Sequence, residues 1–416
     1  MNDINAIYEA FGKDICLCPF LGGFYQTNNV TQQGHNGETN SIRPCSLIRA
    51  DGQPWNITSD SILDTRNNVK WKVLRKQMLD GEFKNIHDCR TCTYTEKLGG
   101  TSPRMSANDF FVEFLEIDII AEVNKLVKNN LESDRVYALD YYPSNYCNYA
   151  CIMCSGGASS KRHTMEVRLG SDQKIFINDV NRDFYELLND VQILNLTGGE
   201  TILQKQAIEL IDYLIEKDLA KNIIVTLLTN ASGFPDKVYD KFKQFKRVLY
   251  TISVDGLGDV IEYQRRGCKW ETVEENALKL CSDPDVHTMV NYVATAVNLP
   301  TAVEFIDWCY KNEIKFFSIS PVVRCDHLGA GAMPPELREL ALKRLRDALP
   351  KYQEVSKLGN YMNNFARGIE QLISTIENNP YNEQDYKKFI EHIKQEDAVS
   401  KRPLVDCVPE WANYIQ

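Results

Sequence analysis

Three cysteines lie close together in the segment SNYCNYACIMCSGG at 144–157, namely Cys147, Cys151 and Cys154. Three thiolates with this spacing can bind one soft metal centre. Four cysteines would complete a tetrahedral zinc site or a four-iron cluster, whereas three leave one iron of a [4Fe–4S] cube without a protein ligand. A run of buried thiols, or a zinc site completed by His163, is the alternative that the spacing leaves open.

A second motif is LTGGET at 196–201, which contains Gly198, Gly199 and Glu200 directly after an apolar run. The two glycines allow the backbone to approach a ligand closely, and the carboxylate behind them can receive an ammonium group. A lone Gly-Gly-Glu has little meaning, but one strand after a three-cysteine loop it indicates a binding site.

A third motif is ISVDG at 252–256, where Ser253 and Asp255 supply short polar groups before a glycine turn. Arg265 follows in EYQRRG at 262–267. On its own, an arginine in this position is more often a solvated helix end than a ligand contact.

Residues 1–106 carry a second group of cysteines: Cys18, Cys45, Cys89 and Cys92. A C-x₂-C pair with two distant partners suits either a zinc ribbon or an iron–sulfur cluster, and ligand chemistry alone does not decide between them. We interpret Cys16 as a spare thiol, and His87 as a residue able to replace one sulfur. This loop-rich composition is typical of a small domain that depends on something other than its core.

Six short β-branched and apolar runs predict the strands that position these motifs, at 136–142, 191–196, 222–228, 247–254, 288–297 and 315–323. Helical stretches separate them, so the chain is predicted to be an α/β protein with a parallel sheet. Periodicity alone leaves an open doubly wound sheet and an incomplete barrel as alternatives. In either, active sites lie at the carboxyl ends of the strands, where the three motifs fall.

Helical periodicity also predicts the flanks of the sheet. One long amphipathic connecting helix is expected over 107–133, and a helical region over 331–416 is expected to cover a face of the sheet. Cys268, Cys281, Cys309 and Cys407 fall in helical or terminal contexts and are interpreted as core residues.

Length and charge restrict the class of protein. The 416 residues correspond to two or three domains, and a net charge of −10 argues against broad nucleic-acid binding. The sequence has no secretory signal pattern and no apolar run long enough to span a membrane, so we expect a cytoplasmic protein without membrane contact. In that compartment the thirteen cysteines are expected to stay reduced.

CNYACIMC, LTGGE and SVDG, in this order, resemble the radical S-adenosylmethionine (radical SAM) superfamily. The resemblance implies a partial (β/α)₆ TIM-like barrel over 134–330, in which the three cysteines of 144–157 hold a [4Fe–4S] cluster and S-adenosylmethionine (SAM) binds its open iron. It also implies which residues contact SAM: Gly198, Gly199 and Glu200 at the methionine ammonium, and Ser253 and Arg265 around its carboxylate or ribose. Asp255 is a further predicted cofactor-binding residue.

The N-terminal cysteines resemble the twitch type of auxiliary domain, a shortened relative of the SPASM domain, which implies a second [4Fe–4S] cluster. Such a protein cleaves SAM reductively to a 5′-deoxyadenosyl radical, with an electron donor such as flavodoxin or ferredoxin. A peptide is the expected substrate, and a sugar or nucleotide derivative is the alternative. Cys325, after the last predicted strand, is either a hydrogen-atom donor to a substrate radical or an ordinary loop cysteine. A zinc-stabilised binding protein without turnover is the competing class.

Overall fold

The computed structural model describes residues 2–30, 40–46, 48, 61–97, 102–177, 179–180, 183–233, 235–314, 316–322, 325–356 and 363–415. The strands there are β1 (Gly22–Gln26), β2 (Asn28–Val30), β3 (Ser41–Arg43), β4 (Ala138–Tyr142), β5 (Ala150–Cys151), β6 (Ile175–Ile177), β7 (Ile193–Leu196), β8 (Ile224–Thr229), β9 (Arg247–Ser253), β10 (Arg265–Arg266), β11 (His287–Ala294) and β12 (Phe317–Pro321).

Eight of these strands form one sheet in the order β12-β11-β9-β8-β7-β4-β1-β3. The six predicted strands are confirmed as β4, β7, β8, β9, β11 and β12, and all five pairings among them are parallel. Their spatial order follows their chain order, whereas a doubly wound sheet reverses its order at a switch point. Strand order therefore identifies a partial barrel, which ends at β12 and β3 within the described residues.

The helices follow the strands in the expected alternation. They are α1 (Ile4–Phe11), α2 (Cys18–Leu21), α3 (Ile62–Arg66), α4 (Val69–Leu79), α5 (Arg90–Lys97), α6 (Pro103–Phe114), α7 (Ile119–Lys128), α8 (Ser160–Arg168), α9 (Lys205–Glu216), α10 (Asp236–Phe242), α11 (Gly258–Gln264), α12 (Trp270–Ser282), α13 (Ala302–Lys311), α14 (Pro335–Ser356), α15 (Asn363–Glu377), α16 (Glu383–Ser400) and α17 (Leu404–Cys407).

Alternate residues of the strands bury one face of the sheet in the core. Leu139, Leu194, Val225 and Ile252 are fully buried there. On the opposite face, β4, β7 and β8 carry polar side chains at matching positions, which are described below. The period of two in each strand therefore divides a packed outer face from a polar interior.

The single connecting helix predicted over 107–133 is wrong, because two helices, α6 and α7, occupy this segment. The break lies at Leu115–Asp118, where Leu115 has extended backbone and the Asp118 side chain accepts from the amide of Ala121. The carboxamide of Asn2 donates to the carbonyls of Leu115 and Ile117, which hold the break open. Partners distant in sequence thus override a continuous helical pattern.

Residues near the N-terminus also contribute strands to the sheet, which the sequence did not predict. β1 pairs in parallel with β4, and β3 pairs antiparallel with β1. The buried guanidinium of Arg66 secures this edge by donating to the carbonyls of Phe20, Gly22 and Arg135. The segment before residue 106 is therefore joined to the barrel by backbone hydrogen bonds.

The predicted helical C-terminal region is confirmed as α14, α15 and α16. Helices α14 and α15 pack on each other, and α15 contacts the edge strand β12. Helix α16 instead packs on the short turns Asp326–Leu328 and Ala330–Ala332, which follow β12. This helix therefore lies at the carboxyl end of the barrel rather than on a face of the sheet.

Candidate active site

Residues 144–157, here called the cysteine loop, follow the carboxyl end of β4 and turn back through the short strand β5. β5 pairs with β10 so that Cys151 stands opposite Arg265, and the Arg265 Nη1 lies 3.9 Å from the Cys151 Sγ. The amide of Ile152 donates to the carbonyl of Gln264 at 2.9 Å. Backbone pairing therefore fixes the middle of the loop and places a cation beside its buried thiol.

Cys147 lies near enough to Cys151 and Cys154 to raise the pKa of both thiols. Burial raises the pKa of the Cys154 thiol to about 11, and the neighbouring Cys147 adds to the effect. Burial also raises the pKa of Cys151 and Cys147. The thiols therefore stay protonated at neutral pH unless a metal displaces their protons.

The cysteine loop offers three thiols to a metal centre, a donor set that suits a soft metal. Among the described residues, no three His, Cys, Asp or Glu side chains lie close enough to bind a single ion together. Thiolates on a [4Fe–4S] cube each bind a different iron, so three thiols could occupy three irons and leave the fourth open.

Donors to Cys147 complete the surroundings of the loop. The backbone amide of Tyr149 lies 3.4 Å from the Cys147 Sγ, and the carboxamide of Asn230 lies 3.9 Å from it. Hydrogen bonds to a ligand sulfur stabilise its thiolate and influence the potential of the centre. Asn230 had not been singled out in the sequence, because it follows β8 without a recognisable motif.

Gly198 and Gly199 pack against the cysteine loop itself. A Cβ on Gly199 would lie 2.1 Å from the carbonyl oxygen of Tyr146, and Gly198 has a φ of +123° that favours glycine. The amides of Gly199 and Glu200 donate to the carbonyls of Ser144 and Tyr146. The close approach foreseen for the two glycines is therefore made to the backbone of the cysteine loop.

Glu200 is 1% exposed, at the carboxyl end of β7. Its Oε1 accepts from the Thr229 hydroxyl at 2.8 Å, and its Oε2 accepts from the Asn230 amide at 2.6 Å. Burial raises the pKa of this carboxyl to about 7, against the effect of both donors. No described cationic side chain forms an ion pair with it, so an ammonium from a ligand would supply the missing charge.

Ser253 ends β9 and is buried in register with Asn291 of β11. Asp255, two residues later, is fully buried and accepts from the Arg265 Nε at 2.7 Å and from its Nη2 at 2.6 Å. Its other oxygen accepts from the amide of Val293 at 2.8 Å. Both carboxylate oxygens of Asp255 are thus used by the protein, and this residue orients Arg265 toward Cys151.

Cys325 lies beside the cysteine loop as well. Its thiol donates to the carbonyl of Met153 at 3.8 Å, and its own carbonyl accepts from the amide of Leu328. The side chain is half-buried. Cys325 therefore lies against the residue that precedes Cys154.

The family model of the radical SAM superfamily matches residues 141–308, which contain all the motifs just described. This segment of the chain is therefore similar to the radical SAM superfamily. The matched segment runs from the end of β4 into α13. No curated protein matches the chain.

Solved structures that match part of this chain include anSMEcpe with bound AdoMet, at 20% identity and a TM-score of 0.39, over 52% of this chain and 61% of that one. Streptococcus suis SuiB bound to precursor peptide SuiA matches at 18% identity and a TM-score of 0.34, over 60% of this chain and 54% of that one. The chain therefore covers less than two thirds of either protein's length. Within the described ranges, no helix has the length and apolarity needed to span a membrane.

The N-terminal cysteines converge on one cavity. All four predicted ligands, Cys18, Cys45, Cys89 and Cys92, line one cavity of about 380 Å³, here called the N-terminal cavity. Cys16 lines it too, and its thiol forms a hydrogen bond with that of Cys18. The structure thus gathers five thiols where the sequence suggested four.

His87, the predicted alternative ligand, does not line the N-terminal cavity and is 80% exposed, with its ring nitrogen near the Arg90 guanidinium. Arg104 does line the cavity, stacks over the Phe83 ring and forms an ion pair with Glu96 at 2.9 Å. A cation therefore stands beside the five thiols, and the geometry gives no support to His87 as a ligand.

The N-terminal cavity continues into the interior of the barrel. Ala138 and Ile193, which line it, are the first residues of β4 and β7, so it opens at the amino end of the strands. Asp140, Asn195 and Thr226 line it farther in and stand at one level of the sheet. The two groups of cysteines therefore lie at opposite ends of a polar interior.

Proposed function

We propose that the protein is a radical SAM enzyme in which Cys147, Cys151 and Cys154 hold a [4Fe–4S] cluster. When bound, this cluster supplies the electron that splits the sulfonium bond of SAM and yields a 5′-deoxyadenosyl radical. The observation that carries the proposal is Glu200, a buried carboxylate that forms no ion pair with a described side chain and lies near enough to Cys147 to raise the pKa of its thiol. Its place within the matched segment 141–308 supports the same function.

The residues of the chain divide the work of binding SAM. Glu200 receives the methionine ammonium, and Ser253 with Arg265 lies on the side that meets the carboxylate or ribose. Asp255 keeps Arg265 in place through two hydrogen bonds. Gly198 and Gly199 let β7 and the cysteine loop approach each other, which brings Glu200 to the thiols.

We further propose that the N-terminal cavity holds an auxiliary [4Fe–4S] cluster, with Cys18, Cys45, Cys89 and Cys92 as ligands. Four thiols from three segments can satisfy all four irons, and the Arg104 guanidinium offsets part of the negative charge. The resemblance of residues 1–106 to a twitch domain supports this assignment. A second redox centre at the far end of the interior is suited to accept the electron that remains on a product.

The proposed substrate is a peptide, since members with such an auxiliary domain often modify peptides. Its reacting side chain would enter the interior between the two cysteine groups, where Asp140, Asn195 and Thr226 offer polar contacts. The Thr226 hydroxyl donates to the Asn195 carboxamide oxygen at 2.7 Å. This hydrogen bond orders the two side chains before substrate arrives. A flavodoxin or ferredoxin is the proposed electron donor.

Cys325 remains a proposed hydrogen-atom donor, because its loop lies against the cysteine loop. Cys325→Ser should leave SAM binding unchanged. It should abolish only a product whose formation requires the thiol to donate a hydrogen atom to the substrate radical. An unaltered product would assign Cys325 to packing.

Anaerobic reconstitution tests the metal assignments. Two cubes give about eight irons per chain, whereas a zinc-stabilised binding protein gives a colourless product with bound zinc. Replacing Cys147, Cys151 and Cys154 together by Ala should abolish 5′-deoxyadenosine formation under dithionite and remove about half of the iron. Retained activity in that variant would reject the site.

The substrate class is tested with short peptides encoded beside the gene. A change of peptide mass that requires SAM and a reductant supports peptide modification. If no such peptide is altered while 5′-deoxyadenosine forms with a sugar or nucleotide derivative, the substrate is a small metabolite instead.

A further inference from the structure

A buried carboxylate on the C-terminal helix α16 joins two buried guanidinium groups. Glu396 is 1% exposed, its Oε1 pairs with the Arg162 Nη1, and its Oε2 pairs with the Arg266 Nε at 2.8 Å. The side chains of Arg162 and Arg266 are 7% and 10% exposed. Three charged groups thus share one site that water barely reaches. Its carboxylate lies outside the matched segment 141–308, whereas both arginines lie within that segment.

Arg162 connects Glu396 to the end of the cysteine loop. It lies in α8, and its Nε pairs with Glu166 Oε1 at 3.3 Å. The other oxygen of Glu166 accepts from the amide of Gly156 at 3.0 Å, two residues after Cys154. A continuous chain of polar contacts therefore runs from α16 to the end of the loop that carries the third cysteine.

Arg266 connects Glu396 to the middle of the cysteine loop. It belongs to β10, where it stands opposite Ala150, next to the pair of Cys151 and Arg265. Arg266 is thus part of the same strand pairing that holds Cys151. The two arginines thus reach the end and the middle of the same loop, and Glu396 is the group they share.

Other groups facing this site strengthen the attachment of α16. The Asp397 side chain accepts from the hydroxyl of Tyr263 at 2.7 Å, which ties the helix to α11. The His392 Nε2 lies 3.8 Å from the Glu396 Oε1. An apolar contact would anchor a helix at lower desolvation cost than three buried charges, so the charges indicate a requirement for fixed geometry.

We propose that Glu396 is a positioning residue that holds the middle and the end of the cysteine loop in place and thereby sets SAM affinity and the potential of the bound centre. The inference rests on the proposed function. It assigns α16 to the active site, as the element that braces the loop from outside the matched domain.

Glu396→Gln in the full chain, reconstituted anaerobically, tests the role. SAM should bind at least tenfold more weakly, and the midpoint potential of the SAM-bound centre, followed by electron paramagnetic resonance, should shift from the wild-type value. Glu391→Gln, on an exposed position of α16, is the matched control and should leave both quantities unchanged. Glu396→Asp should recover part of the affinity.

The outcomes are distinguishable. Wild-type affinity and potential in Glu396→Gln would overturn the inference while the proposed function stands, whereas a wild-type protein that takes up no iron refutes the proposed function itself. If Glu396→Gln does not fold, the apolar triple variant Arg162→Met, Arg266→Met, Glu396→Leu keeps the packing without buried charge. A folded triple variant with wild-type affinity and potential would equally refute the role of Glu396.

Discussion

Replacing Glu200 by Gln removes the one buried negative charge that faces the three thiols from β7, while it keeps the size of the side chain. Hydrogen bonds to charged groups contribute about 1.5–3 kcal/mol. The loss of the charge should therefore weaken SAM binding about ten- to a hundredfold. The iron content should stay at the wild-type level, because Glu200 is not a ligand.

The pH dependence of binding gives an independent measure. Burial raises the pKa of Glu200 to about 7, so this carboxyl becomes protonated as the pH falls through that value. About nine tenths is ionised at pH 8 and about one tenth at pH 6. Since only the ionised form pairs with an ammonium, wild-type SAM affinity should fall about tenfold between pH 8 and pH 6.

The assay is equilibrium binding of SAM to the reconstituted protein at both pH values, with iron content measured on the same samples. Glu200→Gln should bind weakly at both, without the tenfold change. Glu209→Gln, which alters a solvent-exposed carboxylate of α9, should behave like the wild type. Equal affinity of wild type and Glu200→Gln, or an identical pH slope in both, would refute the ammonium role.

Three further substitutions or treatments probe the support of the site. Gly199→Ala should destabilise the fold by about 3 kcal/mol and lower iron uptake, because its Cβ would overlap the Tyr146 carbonyl; thermal denaturation and iron quantitation measure both effects. Asp255→Asn should cost about 3–5 kcal/mol of unfolding free energy, since it leaves the Arg265 cation buried without its partner. In iron-free protein at pH 8, iodoacetamide should alkylate Cys154 slowly, because burial raises the pKa of its thiol to about 11.

Matched controls separate these effects from general damage. Gly233→Ala adds a Cβ with no neighbour within 4 Å and should leave stability and iron uptake unchanged. Asp259→Asn alters an exposed carboxylate of α11 that pairs with Arg402, and it should cost far less than Asp255→Asn. Denaturing the iron-free protein should restore rapid alkylation of Cys154. Fast alkylation in the folded state would contradict the burial argument.

The sequence predicted the parts of the fold that local pattern determines. Six strands and the C-terminal helices follow from the spacing of apolar residues, and the order of the three motifs located the site at the carboxyl ends of the strands. The break at Leu115–Asp118 was missed because Asn2 holds it from more than a hundred residues away. Pairing of β1 with β4 was missed for the same reason: a short glycine-containing strand acquires its partner only in three dimensions.

The site was predictable where chemistry follows from residue type and spacing. The three thiols of the cysteine loop and Glu200 belong to this class. Cys16 was assigned as spare because its distance from the other thiols is not encoded in spacing. Asn230 and Glu396 had no motif at all, since one acts by donating to a sulfur and the other by bridging two arginines from a distant helix.

The insertion of β1 beside β4 has a consequence for anyone who wishes to simplify this molecule. Deletion of the first hundred residues would expose the backbone donors and acceptors of β4. β4 would then be an uncovered edge strand, which promotes self-association. The N-terminal segment is thus a structural part of the barrel, and it cannot be exchanged between proteins as an independent domain could.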